Sequence, residues 1–254
     1  MEYILLFAAA FIGGALNSVA GGGSFISFPA LVSVGVPSIN ANATNTMALW
    51  PGSLASVGAY RAELARQNRL MVIFLSATSL IGGLAGAEIL LRTPQATFDR
   101  LLMLFAVGIF APGGNLTKAL RERFSKQLAA GGIVVILIVA VLQFLIAVYG
   151  GFFGGGIGIL MLAALALAGM TNIHTMNGLK VLLATLINGV AVVRFVIAGT
   201  IFWQYAVVMI IGAILGGYGG AAYAQRLDPK VVRRFVMVVG VVMTIYFFVR
   251  EYTR

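Results

Sequence analysis

Apolar runs fill nearly all of this 254-residue chain and leave only short polar connections between them. Hydrophobic residues make up 61% of the sequence and charged residues only 9%, whereas roughly a quarter of an ordinary soluble domain is charged. A surface with so few charges must face lipid rather than water. The sequence therefore predicts an all-α polytopic membrane protein, folded as one integral membrane domain.

Charge and side-chain chemistry exclude several other classes of protein. The net charge of +10 does not indicate a nucleic-acid partner, because the basic residues lie in short connections where the positive-inside rule accounts for them. The chain has no cysteine and a single histidine, which excludes disulfides, thiolate chemistry and a multi-histidine metal site. The sequence contains no nucleophile–base pair and no phosphate-binding loop. We therefore expect a protein that is not an enzyme and uses no cofactor or metal.

Two glycine triplets stand at matching places in the two halves of the chain, Gly21-Gly22-Gly23 before Ser24 and Gly154-Gly155-Gly156. Each precedes a short apolar segment, Phe25 to Val36 or Gly158 to Ala168, that cannot span about 30 Å of hydrocarbon at 1.5 Å per residue. Consecutive glycines let the backbone leave helical geometry. A helix that starts after such a break directs its free amides and positive dipole end at the break. Two such ends facing each other at mid-membrane predict an anion site.

A polar stretch follows each short segment and adds side chains to this predicted site. The first runs from Pro37 to Thr46 and the second from Thr171 to Asn177, and we interpret both as hinges. Polar groups are costly in hydrocarbon unless they meet partners or water. The residues predicted to bind the anion are Asn17, Gly21, Gly22, Gly23, Ser24, Asn42, Asn45, Thr46, Gly154, Gly155, Gly156, Asn177 and Lys180.

Lys180 is the only lysine inside an apolar span, and it corresponds to Asn45 when Asn42 is matched with Asn177. A cation within the membrane costs roughly 2.5–3.5 kcal/mol on insertion scales and is by default a functional candidate. Lys180 also lies near the start of its helix, where a lysine can snorkel to the membrane interface. We predict that it supplies the positive charge of the anion site.

Three other ionisable residues have weaker claims to a role. Glu88 and Arg194 are expected near the outer ends of their helices, where snorkelling explains them. His174 could couple protons, although a lone histidine in a polar stretch is more often structural. No acidic residue falls in the middle of a span, so the sequence offers no carboxylate proton relay.

The order of apolar segments predicts two inverted-topology repeats, residues 1–127 and 128–254, each with about five elements in the order long, short, long, long, long. The short elements are broken or re-entrant helices. An odd number of crossings per half inverts the second copy, and the basic loops agree, since one follows the third element of the first half and another the fourth element of the second half. Both termini are then outside a bacterial cytoplasmic (inner) membrane. The predicted apolar segments, apart from the two short ones, are Tyr3 to Ala20, Met47 to Tyr60, Leu70 to Leu91, Leu101 to Leu116, Leu128 to Tyr149, Gly178 to Ile197, Ile201 to Ala222 and Phe235 to Val249.

The glycine breaks and hinges also carry a family pattern. It consists of Gly13-Gly14, Asn17 to Ser24, Pro29, Gly35-Val36-Pro37, Ala41 to Asn45 and, in the second half, Gly150 to Gly156 with the following hinge. Over essentially the whole chain, this pattern resembles the sulfite exporter TauE/SafE family, also called the toluene sulfonate uptake permease family. The resemblance implies transport of sulfur-containing or organic anions such as sulfite, thiosulfate or sulfoacetate, with a direction that depends on the member. Where family hinges often carry a Gly-Thr-Ser-like run, this sequence has Ala43 to Thr46 and Asn177 to Lys180 instead.

We therefore expect a secondary carrier for a small sulfur-containing anion that works by alternating access. The partners that this interpretation allows are the anion, the lipid bilayer, a coupling proton or ion, and further copies of the chain. Two alternatives remain open. An anion channel would use the same site but would lack saturable counterflow, and a non-transporting membrane assembly subunit would show a stable protein partner and no solute uptake.

Overall fold

The structure, a computed structural model, describes residues 1–19, 22–110 and 133–224, and every regular element in these ranges is an α-helix. The predicted all-helical class is thus confirmed for these ranges. Gly21, the end of the predicted span Leu101 to Leu116, the start of Leu128 to Tyr149 and the last span Phe235 to Val249 lie outside the described residues. The helices are α1 (Glu2–Val19), α2 (Ser24–Ser33), α3 (Ser38–Ala59), α4 (Arg61–Ala65), α5 (Arg69–Arg92), α6 (Gln95–Phe110), α7 (Ile133–Phe152), α8 (Ile157–Leu167), α9 (Ile173–Ile197) and α10 (Trp203–Ala224).

The outer faces of the long helices are apolar. Helices α5 and α9 are each long and apolar enough to cross a membrane, and shorter apolar stretches occur in α1, α2, α7, α8 and α10. Large side chains such as Ile81 of α5 and Val141 of α7 are more than half exposed. Contiguous exposed apolar surface is unfavourable in water but suits contact with acyl chains.

Glycines bring α1 and α10 into backbone contact. A Cβ atom added to Gly212 would lie 2.6 Å from the carbonyl oxygen of Phe7, and one added to Gly216 would overlap the backbone of Phe11. Because the contact positions advance together along both helices, α1 and α10 run parallel. Small residues at such a seam let two helices approach closely without a hydrophobic driving force.

A second parallel pair, α5 and α7, is built in the same way. A Cβ atom on Gly82 would lie 2.7 Å from the side chain of Ala147, and one on Gly86 would overlap the backbone at Val148 and Phe152. The run Gly82-Gly83 thus allows α5 to approach α7 closely, as Gly216-Gly217 allows α10 to approach α1. Each pair joins one helix from the first half of the chain to one from the second.

Contacts at the helix ends define two sides of the molecule. The Tyr205 hydroxyl, in the first turn of α10, donates to a Glu2 carboxylate oxygen over 3.2 Å. Near the start of α3, the Asn40 side-chain amide donates to the Thr200 carbonyl over 2.8 Å. The starts of α1, α3 and α10 therefore lie together, at what we call the Glu2 side. The end of α3, the short helix α4 and the start of α5 lie at the opposite side, which we call the Arg61 side.

Helices α1 and α2 form a hairpin that returns to the Glu2 side, since both α1 and α3 begin there. At its turn, Gly23 lies against the backbone of Gly13, and the Ser27 hydroxyl oxygen lies 3.0 Å from the Gly23 carbonyl oxygen. In the second half, α9 begins near the Arg61 side, where its Gly178 faces the Cβ atom of Tyr60. Helix α8 therefore returns to that side after α7.

The two polar stretches predicted as hinges are helical instead. Ser38 to Thr46 form the first turns of α3, and Ile173 to Asn177 those of α9. The hinge interpretation was wrong because hydrogen bonds near the start of each stretch allow the chain to enter a helix there. Asn40 bonds to the α9–α10 turn, and Asn172 caps α9 by accepting from the backbone amides of His174 and Thr175.

Gly86→Ala should lower the stability of the purified protein by about 1–3 kcal/mol, because the added methyl group would force α5 and α7 apart. The measurement is thermal unfolding in detergent. Gly58→Ala is the matched control, since a Cβ atom there meets nothing within 4 Å. Equal melting temperatures for the two variants would show that close approach at Gly86 does not hold the pair together.

Candidate functional site

A cavity of about 70 Å³ lies where the two helix breaks face the middle parts of α3, α9 and α10. Its lining includes side chains from both halves of the chain. The residues predicted from the sequence that line it are Asn17, Gly22, Ser24, Thr46, Gly154 and Lys180. The structure therefore brings the two glycine triplets and the intramembrane lysine to one place.

Lys180 is the one charged side chain among the described residues that line this cavity. It is 4% exposed, and within the described part of the chain it has neither an ion-pair nor a hydrogen-bond partner. A buried ammonium group loses its hydration, and without a counter-charge that loss is expensive. An anion in the cavity would supply the missing charge.

The first break is held open by its own hydrogen bonds. Gly22, with φ at 103°, takes the left-handed conformation that favours glycine. The side-chain oxygen of Asn17 accepts from the Gly23 backbone N–H over 2.9 Å. Asn17 lines the cavity, and its NH₂ group, a hydrogen-bond donor, has no bond within the described part of the chain.

The second break is fixed by a tyrosine and by two glycines in the left-handed region. Gly154 has φ of 76° and Gly156, the N-cap residue of α8, has φ of 74°. The Tyr149 hydroxyl, at the end of α7, donates to the Gly155 carbonyl over 2.7 Å. These contacts hold the first turn of α8 beside the cavity, which its Ile157 and Gly158 help to line.

Several amides of the first break are already bonded. The N–H of Phe25 donates to the Gly22 carbonyl and that of Ile26 to the Gly23 carbonyl, each over 3.0 Å. The amide of Gly23 is bonded to Asn17. The break therefore offers a bound anion fewer backbone donors than the sequence suggested, and side-chain donors must contribute more.

Other predicted site residues lie beside the cavity and not on its described lining. Asn45 is 1% exposed and accepts a short hydrogen bond from the Ser27 hydroxyl. Asn42, also 1% exposed, donates to the Phe152 carbonyl over 3.1 Å, and its side-chain oxygen has no partner among the residues that the structure describes. Asn177 likewise has a buried, unpartnered side-chain oxygen. The remaining members of this group are Gly23, Gly155 and Gly156, which shape the breaks, and Gly21 lies outside the described residues.

Sequence reasoning missed three polar lining residues, Ser53, Ser56 and Asn188. Ser53 and Ser56 continue the face of α3 that carries Thr46, and Asn188 lies two turns beyond Lys180 on α9. Helical spacing from the predicted residues was the available signal. This spacing identifies lining residues only when the faces of α3 and α9 that meet are known.

The hydroxyl groups on α3 are turned toward their own helix. Thr46 donates to the Asn42 carbonyl over 2.8 Å, and Ser56 donates to the Gly52 carbonyl over 2.9 Å. Such bonds to the preceding turn are common for serine and threonine in helices. A hydroxyl must rotate away from this bond before it can donate to an anion, so Lys180, Asn17 and Asn188 are the readier donors.

The ionisable residues outside the cavity have separate roles. Glu88 accepts from Arg194 of α9 and from Arg92 of its own helix, each over 2.8 Å, so Glu88 and Arg194 are paired rather than merely extended to the interface. His174 is exposed in the first turn of α9. Within the described ranges, no three His, Asp or Glu side chains lie close enough together to hold a metal ion.

A helical chain with an apolar outer surface, interrupted helices and a polar cavity at their breaks is typical of membrane transporters. The model of the sulfite exporter TauE/SafE family matches residues 6–247. The chain belongs to this family, as its sequence pattern predicted, and it is a membrane protein of the transporter class.

Curated relatives agree with this class. A probable membrane transporter protein of Haemophilus influenzae is 28% identical over 94% of this chain and 92% of its own length. The probable membrane transporter protein ORF9 of a Sinorhizobium species is 26% identical, covering 94% of this chain and 90% of its own. The probable membrane transporter protein YfcA of Escherichia coli K12 is 28% identical, covering 94% and 87%. No solved structure matches the chain.

Ser27→Ala should destabilise the protein by about 1–3 kcal/mol, because it removes the buried partner of the Asn45 side-chain oxygen. Anion binding should persist, since neither residue lines the described cavity. Thermal unfolding and anion titration of one preparation measure both effects. Ser33→Ala is the control, because the Ser33 hydroxyl bonds only within its own helix and the residue is exposed. If Ser27→Ala instead abolished anion binding without changing stability, Asn45 would be a substrate-binding residue, as the sequence predicted.

Proposed function

We propose that this protein is a secondary carrier for a small sulfur-containing oxyanion, such as sulfite, thiosulfate, sulfoacetate or a related sulfonate. The observation that carries the proposal is the buried ammonium group of Lys180, which faces a cavity and has no counter-charge among the described residues. Membership of the sulfite exporter TauE/SafE family supports the substrate class.

In the proposed complex, Lys180 neutralises part of the anion's charge, and the NH₂ groups of Asn17 and Asn188 donate to its oxygens. The first turns of α2 and α8 add the positive ends of two helix dipoles. An oxyanion with several equivalent oxygens suits such a set of diverging donors, because charge-assisted hydrogen bonds form from more than one direction. Thr46 joins the set after its hydroxyl rotates from the Asn42 carbonyl.

The carrier would be built from two inverted repeats, residues 1–127 and 128–254. Several correspondences support this. In the repeat, α1 corresponds to α7 and α5 to α10. Gly82 of α5 contacts α7 at Ala147, and Gly216 of α10 contacts α1 at Phe11. The same contact is therefore made twice, each time between one helix of the first half and one of the second. Each half also contains a short helix after its glycine break, α2 with 10 residues and α8 with 11. Rocking of one repeat against the other would expose the cavity alternately to each side.

Charge supports an orientation with the Arg61 side in the cytoplasm. Among the described residues, that side carries Arg61, Arg66 and Arg69 with one acid, Glu63. The Glu2 side has as many acids as arginines, namely Glu2, Glu88 and Asp99 against Arg92, Arg100 and Arg194. By the positive-inside rule the Glu2 side, with the N-terminus, faces outward. We place this multi-pass chain in the bacterial inner membrane, with both termini outside.

Lys180→Met should weaken anion binding by at least about tenfold, because a hydrogen bond to a charged group contributes about 1.5–3 kcal/mol. The measurement is thermal stabilisation of the purified protein by sulfite, thiosulfate, sulfoacetate, sulfate, taurine, acetate and phosphate. Anion at about 100 times its dissociation constant should stabilise the wild type by roughly 2.7 kcal/mol.

Arg69→Met is the matched control, since it removes the same charge from the exposed start of α5, away from the described cavity. It should leave anion stabilisation unchanged. Equal affinities for wild type and Lys180→Met would remove Lys180 from the site. Stabilisation by acetate and phosphate but by no sulfur-containing anion would contradict the substrate class.

A carrier and a channel differ in counterflow. Proteoliposomes loaded with unlabelled anion should transiently concentrate labelled anion from outside, because a carrier exchanges one bound anion for another. Flux that rises without saturation and shows no such overshoot would indicate a channel. No flux together with a co-purifying protein partner would favour an assembly subunit.

A further inference from the structure

The cavity is closed toward the Glu2 side by aromatic rings from both halves of the chain. The Phe28 ring of α2 packs edge-on against Phe153, with centroids 5.6 Å apart. Phe98, in the first turn of α6, packs against Phe152 at 5.4 Å and Phe153 at 6.2 Å. Phe153 itself lines the cavity, so these four rings lie between the cavity and the Glu2 side.

Polar contacts between the halves lie farther toward the Glu2 side. The Phe202 N–H donates to the Thr44 hydroxyl oxygen over 3.0 Å. One Glu88 oxygen accepts from Arg194 over 2.8 Å, which links α5 to α9, while the other accepts from Arg92 within α5. Of the two ion pairs in the described part of the chain, Glu88–Arg92 lies within α5 and Glu88–Arg194 joins the two halves.

The cavity lining extends away from this closure. On α3 it reaches Ser56, three residues before the helix ends at the Arg61 side, and on α10 it reaches Gly217. The first turns of α3 and the last turns of α9, which lie at the Glu2 side, contribute nothing to the described lining. The phenylalanine rings therefore lie toward the Glu2 side of the cavity, and the lining at Ser56 and Gly217 lies toward the Arg61 side.

The repeat makes this closure one-sided. Gly82 to Glu88 of α5 matches Gly216 to Ala222 of α10, so Glu88 corresponds to Ala222. When Asn42 is matched with Asn177, Arg194 corresponds to Ala59. Alanine carries no charge, so the matched positions cannot form a counterpart of this ion pair.

We infer that the structure is the outside-closed state of the carrier and that the Glu88–Arg194 ion pair is a latch on its outer gate. This inference rests on the proposed function for the mechanism and for the assignment of the Glu2 side as outside. Opening toward the outside must separate α5 from α9 at this point and withdraw the phenylalanines behind it. The latch biases the resting protein toward the outside-closed state, and the matched positions, Ala59 and Ala222, supply no ion pair to oppose it.

The test measures access to the cavity and not transport. Because the chain has no cysteine, Asn188→Cys gives a single reporter in the cavity, with Ser53→Cys as a second reporter in case the first variant does not fold. A membrane-impermeant maleimide is applied to right-side-out and to inverted vesicles. The reporter should react faster in inverted vesicles.

Glu88→Gln and Arg194→Gln, each combined with a reporter, should raise labelling from outside about two- to fivefold, as expected for loss of a partly exposed ion pair. Arg92→Gln is the matched control. It removes an arginine bonded to the same Glu88 but leaves the link between α5 and α9 intact, so outside labelling should not change.

Unchanged outside labelling in both Glu88→Gln and Arg194→Gln would overturn the latch. Equal increases in Arg92→Gln and Arg194→Gln would also overturn it, because the effect would then follow local charge and not the link between helices. Faster labelling from outside in the unmodified background would overturn the assigned state. These results do not depend on the transported anion, so they separate failure of the latch from failure of the carrier assignment.

Discussion

A helix that ends within hydrocarbon must satisfy its free backbone groups inside the protein, because lipid offers no hydrogen bonds. Most features of this structure follow from meeting that requirement twice. Asn17 bonds the amide of Gly23 at the first break, and Tyr149 bonds the carbonyl of Gly155 at the second. Both breaks can exist only where surrounding helices exclude lipid. The parallel pairs α1/α10 and α5/α7, which approach closely at glycines, provide that enclosure.

The two halves have similar orders of helices, but in the described part of the chain only the second has a buried cation beside its glycine break. Asn45 and Lys180 correspond in the proposed repeat, yet Asn45 is bonded to Ser27 whereas Lys180 has no partner among the described residues. The residue that matches Ser27 in the second half is Leu160, which has no hydrogen-bonding group. One half therefore satisfies its buried polar side chain internally, and the other leaves a buried cation facing the cavity. In the proposed carrier, this asymmetry would let a single anion bind between two similar breaks.

Much of this arrangement could be predicted from the sequence. The scarcity of charge required a membrane protein, glycine triplets before short apolar segments predicted interrupted helices, and an isolated lysine predicted the cation of the site. These signals are local, so they can be read along the chain. The hinge interpretation failed because the polar runs after Pro37 and Thr171 have the composition of loops. A distant partner for Asn40 and a local cap at Asn172 allow the two runs to be helical.

Contacts between residues distant in sequence could not be predicted. The Glu88–Arg194 pair joins helices from different halves, and nothing around either residue indicates its partner. Ser53 and Asn188 enter the site only because particular faces of α3 and α9 meet. The partner of Asn45 likewise follows from the packing of α2 against α3.

The most direct test of the central claim is a structure determined with selenite, in which anomalously scattering selenium replaces the sulfur of sulfite. A selenium peak is expected in the cavity and close to Asn17, with the anion's oxygens within hydrogen-bonding reach of Lys180. Selenite bound elsewhere, with the cavity empty at saturating concentration, would contradict the assignment of this cavity as the anion site.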